Sequence, residues 1–196
     1  MTTYSDLELD ALRELANIGS GTAATALSQM LGRSIDVSVP KAAALPLAEA
    51  VASVGEPELV VVGVVLQVFG DLPGLAVLLF TERDADRVCE LLGVEPSTEF
   101  ATSALQEIGN ILCASYLGAI VSMVGLDLQP GPPQIACDML GSIVESVLLA
   151  NAATTDIALL LDSDIRIEGE GSAVQFMLIP SDEGVSSLLA RLGLGG

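Results

Sequence analysis

The sequence predicts an α+β fold with a pseudo-two-fold internal duplication, long helices packed on a largely antiparallel β-sheet. Three observations predict it. Long amphipathic segments begin behind helix-capping signals near residues 5 and 97, each is followed by extended stretches and a β-hairpin, and the two halves match at a shift of 93 residues. A length of 196 residues suits one domain over 1–196, with repeats at approximately 5–93 and 97–193. Each half can then leave exposed part of a face that the other half buries.

The elements follow from local signals. Ser5-Asp6-Leu7-Glu8 reads as a capping box and Gly32 as a helix terminator, which gives a first helix over about 6–31. On its wheel Leu12, Leu15, Gly19, Ala23, Ala26 and Met30 form a core stripe, and Asp10, Glu14, Asn17, Gly21, Ala24 and Ser28 a displayed one. Ser34 to Val39 is β-like and ends at Pro40; a short helix follows around Leu47 to Val54, then the turn Gly55-Glu56-Pro57. Leu59 to Phe69, with its Val-Val-Val run, reads as a buried strand, turned at Gly70-Asp71-Leu72-Pro73-Gly74 into a second, Leu75 to Phe80. Thr81 caps a helix over Asp84 to Leu92. The order restarts at Ser97: a helix to about Val124, an extended stretch ending in Pro130-Gly131-Pro132-Pro133, and a helix near Asp138 to Leu149. A hairpin of Ile157 to Ile167 and Ala173 to Ile179 turns at Glu168-Gly169-Glu170-Gly171, and a last helix spans Asp182 to Leu192.

Composition excludes several classes of function. Seven Lys+Arg against 26 Asp+Glu leave a formal charge of −19, which repels phosphate backbones and anionic lipid, so neither nucleic acid nor a membrane surface is an expected partner. The absence of histidine removes Ser-His-Asp and Cys-His hydrolases, imidazole metal sites and His phosphotransfer. Cys89, Cys113 and Cys137 form no CxxC pair, which argues against structural zinc and for reduced thiols in a cytoplasmic protein. The N-terminus lacks a secretory pattern. Ile108 to Leu126 runs 19 residues without a formal charge, but its Gly, Ser and Asn content and its lack of Lys or Arg anchors favour a buried helix over a membrane span.

The repeat preserves polar residues as well as core ones. Each long helix carries a carboxylate and a carboxamide three residues apart, Glu14 with Asn17 and Glu107 with Asn110, hence on one face about a turn apart. Four residues before each Glu is a short oxygen-bearing side chain, Asp10 or Ser103, and 23 residues after each Asn is a proline, Pro40 or Pro133. Asn is a poor helix former, so two at one register on displayed faces need a reason beyond the fold.

This doubled motif, (Asp or Ser)-x3-Glu-x2-Asn-x22-Pro, resembles that of the CheC/FliY/CheX family of chemotaxis phosphatases, and the match covers essentially the whole chain. Having two motifs and no room for a further flagellar-switch domain, the chain is most similar to the CheC-type branch. The resemblance implies two helix-borne active sites and a two-component signalling activity, hydrolysis of the phosphoaspartate on the response regulator CheY. It also implies a second partner, the deamidase CheD. No cofactor of the protein's own is implied, since Mg²⁺ is bound by the CheY substrate.

The residue types suit that chemistry. A receiver domain already supplies Mg²⁺ and a Lys, so an oriented water is what its acyl phosphate lacks. A carboxamide can accept from water and donate elsewhere, which gives Asn17 and Asn110 the role of placing the attacking water in line, as a Gln does in GTPases. Glu14 and Glu107 would reach the receiver's Lys and dock the helix. Asp10 and Ser103 either set helix register or touch the receiver, while Gly21 and Ala114 let a partner approach. Pro40 and Pro133 fix loop geometry. Beyond its Asn the second face continues as Ala114, Leu117 and Val121, more apolar than Gly21, Ala24 and Ser28, which means either tighter docking or a covered helix end. Asp138, Met139, Leu140, Gly141, Ile143 and Val144 open an amphipathic turn-and-helix that is either a CheD-docking element or an ordinary covering helix.

Three other readings compete. Gly19-Ser20-Gly21-Thr22-Ala23-Ala24 fits a dinucleotide fingerprint in composition, but such a turn must follow a strand. A non-catalytic adaptor that binds CheD or a receiver would need the Glu residues but not the Asn pair. Metal-dependent hydrolysis at Asp10 and Glu14 lacks a third ligand.

Overall fold

The computed structural model describes residues 4–38, 40–151, 157–167 and 172–194. The first half runs α1 (Asp6–Leu31), β1 (Ile35–Val37), β2 (Lys41–Pro46), α2 (Leu47–Val54), β3 (Val60–Gly70), β4 (Gly74–Thr81) and α3 (Glu82–Leu91). The second runs α4 (Glu99–Val124), β5 (Leu128–Pro130), β6 (Gln134–Met139), α5 (Leu140–Asn151), β7 (Ile157–Ile167), β8 (Ser172–Pro180) and α6 (Asp182–Arg191). Residues 168–171, where the sequence places the second hairpin's turn, lie outside the described residues.

Local chemistry sets the long helices. The Ser5 hydroxyl accepts from the Glu8 N–H at 3.3 Å and the Glu8 carboxylate accepts from the Ser5 N–H at 2.7 Å, closing the capping box. The Ser5 N–H, and after it the Ser5 hydroxyl at 2.7 Å, donate to the Glu8 carboxylate and hold it below its usual range. α4 begins on Thr98, whose hydroxyl accepts from Ala101 N–H at 3.1 Å, with no reciprocal acid because the third helical residue is Ala101. Both helices end on glycine in the left-handed region, Gly32 at φ 63° and Gly125 at φ 69°.

Every strand pairing is antiparallel, and the order across the sheet is β1 and β2, β7, β8, β4, β3, then β5 and β6. β1 and β2 lie in line along β7, with Val37 opposite Ile165 and Lys41 opposite Asp162. β5 and β6 lie in line along β3, with Pro130 opposite Val68 and Gln134 opposite Val65. Each pair is one edge strand interrupted near its prolines, which have no N–H to give a ladder. The edge strands of each half therefore pair with the hairpin of the other half. The hairpins meet at β4 and β8, and the pseudo-two-fold passes where Val77 stands opposite Met177.

Period-two alternation divides the side chains between two cores. Ala76, Leu78, Phe80, Val174, Phe176 and Leu178 face α1, α3, α4 and α6, whereas Val77, Leu79, Met177 and Ile179 face α2 and α5. α4 is long and apolar enough to cross a membrane by length and composition, but Leu105, Ile108, Leu112, Tyr116 and Ile120 are buried in the first core.

Four expectations need correction. β2 and β6 are strands where periodicity shows none: KAAALP and QIACDM lack a clean alternation, and pairing across halves supplies their hydrogen bonds. Asp138 and Met139 consequently end β6 rather than open a helix. Ala24 is buried, because β1 returns beside α1. Ala26 and Met30 are half-buried at the margin of the core stripe.

Candidate active site

The inner stripe of α1 holds Leu12, Leu15, Gly19 and Ala23, all buried, which turns Asp10, Glu14, Asn17 and Gly21 outward. α4 repeats this: Leu105, Ile108 and Leu112 are buried, Ser103, Glu107 and Ala114 are exposed, and Asn110 is half-buried. Glu14 and Asn17 thus lie about 5–6 Å apart at Cβ on one face, as do Glu107 and Asn110. Among the described residues none of these four side chains makes a hydrogen bond or ion pair. They stand free for a partner.

Their neighbours are engaged locally. Asp10 accepts from Arg13 Nη1 at 2.6 Å, and Ser103 donates to the Glu99 carbonyl at 3.1 Å, so both are occupied on their own helices. Sequence reasoning missed Gln106, whose Nε2 donates to the Pro133 carbonyl at 3.1 Å and ties the motif's helix to its proline loop. Position 13 in the first half is Arg rather than Gln, so comparing the repeats gave no signal for it. Pro40 is buried and Pro133 half-buried, each at the break of an edge strand.

The displayed stripe is shorter than periodicity predicts. Ala24 and its counterpart Leu117 are 6% and 1% exposed, so the apolar character of the second stripe beyond Ala114 reflects a covered helix end. Between α1 and α4 runs a shallow groove of about 520 Å³, lined by Ile18, Gly21, Thr22, Thr25, Ala26, Gln29 and Ser115.

The glycine-rich run lies inside α1, with helix rather than strand directly before it, which removes the dinucleotide reading. Gly19 packs on the ring of Tyr116: a Cβ there would fall 2.9 Å from Cδ2 and Cε2. Ser20 is buried and its hydroxyl shares a 2.7 Å hydrogen bond with Ser163 on β7, fixing the helix to the sheet. Gly21 faces open space.

Leu140, Ile143 and Val144 are buried against the sheet in the second core, and the half-buried Gly141 donates its N–H to the Pro57 carbonyl at 2.9 Å. Asp138 and Met139 remain exposed on edge strand β6. Cys89, Cys113 and Cys137 are free thiols; burial pushes Cys113 up to about 12, keeping it protonated. Among the described residues no three Cys, Asp or Glu side chains stand close enough to share a metal ion.

The model of the CheC-like family matches residues 7–42 and 100–136, each segment containing one Glu-x2-Asn motif and its proline. The CheY-P phosphatase CheC of Bacillus subtilis is 34% identical over 95% of this chain and 94% of its own. The flagellar motor switch phosphatase FliY of the same organism is 27% identical over 67% of this chain and 36% of its own. The crystal structure of FliY from Thermotoga maritima superimposes with a TM-score of 0.75 at 21% identity, covering all of both chains. With two motif-bearing halves and that identity along nearly its whole length, the chain belongs to the CheC-like family.

Proposed function

We propose that this protein hydrolyses the phosphoaspartate of CheY, using Glu14 with Asn17 and Glu107 with Asn110 as two separate sites. The observation that carries the reading is the repetition: both halves present a Glu and an Asn on an exposed helix face, unbonded, where neither serves the fold. The name of the CheY-P phosphatase relative supports the substrate, and that of the switch phosphatase supports the reaction class.

Each Glu makes a charge-assisted contact with the receiver's active-site Lys and so sets the helix over the acyl phosphate. The Asn one turn on accepts from a water and holds it in line with phosphorus. Mg²⁺ arrives with the receiver and stabilises charge on the phosphoryl oxygens. The rate gain comes from positioning, because a carboxamide is too weak a base to take the proton.

Phosphate release from phosphorylated CheY, followed with wild type, Asn17→Ala, Asn110→Ala and the double variant beside a binding measurement, tests this. Loss of the water-holding group should cost on the order of 10²-fold at each site. The double variant should bind and yet fail to accelerate release. If it retains full activity, the Asn residues do not position the water; if wild type gives no acceleration, the adaptor reading takes the place of the phosphatase one. CheD is the second partner we infer; of the segment 138–144, Asp138 and Met139 are the exposed residues that could meet it.

A further inference from the structure

Each motif-bearing stripe begins with a large apolar side chain in solvent. Leu7 is 64% exposed and Phe100 is 80% exposed, and they occupy equivalent positions in the repeat, 93 residues apart. Leu7, Asp10, Glu14, Asn17 and Gly21 follow one another at intervals of three and four, as do Phe100, Ser103, Glu107, Asn110 and Ala114. That spacing places each set on a single helix face.

The fold gives these two side chains nothing to do. Both are the second residue of their helix, after N-caps Ser5 and Thr98, a position where the helix dipole favours an acid. A hydrophobic staple would pair the residue before the cap with the fourth helical residue, Tyr4 with Leu9 or Ser97 with Thr102, and so uses neither. The inner stripes are already filled by Leu12 and Leu15, and by Leu105 and Ile108. On a chain of charge −19, an apolar group kept in water at the same place in both halves calls for a partner surface.

We propose that Leu7 and Phe100 are apolar anchors for the receiver domain, each filling a hydrophobic patch on the receiver while the Glu and Asn of the same stripe engage its phosphorylated site. The larger Phe100 makes α4 the tighter site. This rests on the phosphatase reading above. Along the helix axis Phe100 is about 10 Å from Glu107 and 15 Å from Asn110. A partner burying about 800 Å² covers a patch roughly 30 Å across, wide enough to take in all three.

Single-site proteins separate the two anchors: Phe100→Ala in an Asn17→Ala background, and Leu7→Ala in an Asn110→Ala background. KM for phosphorylated CheY should rise about tenfold for Phe100→Ala, equivalent to about 1.4 kcal/mol, and about threefold for Leu7→Ala. The value of kcat should stay within about twofold, and Tm should not move because both side chains are exposed. Phe100→Leu should recover most of the loss, and Phe100→Asp, a better residue for the helix start, should weaken docking without weakening the fold. Unchanged KM in proteins that still release phosphate overturns the anchor and leaves the phosphatase reading intact. Titration of CheY carrying beryllofluoride and Mg²⁺ against wild type and the Leu7→Ala/Phe100→Ala double variant, which weakens both stripes at once, tests the anchors independently of turnover, and a Kd unaffected in the double variant, or no binding to wild type, also overturns them.

Discussion

Gly19 and Gly21 lie two residues apart in α1, yet alanine should act on them with opposite signs. Replacing glycine inside a helix gains about 1 kcal/mol from propensity at either position. At Gly21 nothing lies within 4 Å of the new Cβ, so the gain stands undiminished. At Gly19 the Cβ would meet Tyr116 at 2.9 Å, and that ring cannot retreat: it is fully buried and packed against Phe176 with centroids 4.6 Å apart. Overpacking of this kind costs about 1–3 kcal/mol. Because propensity is common to both variants, their difference isolates the clash, about 2 kcal/mol. In a domain of this size that separates the melting temperatures by roughly 4–8 °C, with Gly21→Ala above wild type and Gly19→Ala below it. Scanning calorimetry of the three proteins provides the assay. Gly21→Ala should also keep its phosphatase activity, since Ala114 already occupies the equivalent position on α4. Equal stabilisation by both substitutions would refute the close packing of α1 on α4.

Two further predictions concern buried polar groups. The Tyr116 hydroxyl is buried without a hydrogen-bond partner among the described residues, and burial raises its pKa so that it stays a neutral phenol. Tyr116→Phe keeps the ring and removes an unsatisfied group, so the urea midpoint should rise by the equivalent of about 1 kcal/mol; a fall would mean the hydroxyl is satisfied. Asp162 has its pKa raised above 3.8, by burial first and then by Asp164, against the bond it accepts from Gln175 Nε2 at 3.1 Å. The folded state then binds the proton more tightly than the unfolded chain. Stability therefore falls as pH rises from 3.8 through the raised value, and the difference is constant above that window. Asp162→Asn, which can still accept from Gln175, should lack that slope, and denaturation curves at several pH values that run parallel for variant and wild type would sink the assignment.

The candidate site was legible because its signals are local. Glu14 with Asn17, and Glu107 with Asn110, share a face through helical spacing alone, and the repeat at 93 residues marks them without any knowledge of tertiary contacts. The helix ends were equally plain, since Ser5, Glu8, Gly32 and Gly125 act on backbone groups within a turn of themselves. Where the displayed stripe stops was not legible. Ala24 follows the helical spacing of an outward residue and is nevertheless buried, because the chain beyond Gly32 folds back beside it. Gln106 escaped for the same reason: its partner, the Pro133 carbonyl, is 27 residues away and leaves no mark on local pattern.

Sequence by itself determined the helices, the two hairpins, the duplication and the paired polar residues, each through interactions spanning a few residues or through direct comparison of the halves. Tertiary structure alone decided that the edge strands change halves, β1 and β2 joining β7 while β5 and β6 join β3. Segments such as Lys41–Pro46 carry too little alternation to declare themselves strands. Their hydrogen bonds come from β7, more than a hundred residues further along the chain, and only the assembled sheet brings those partners together.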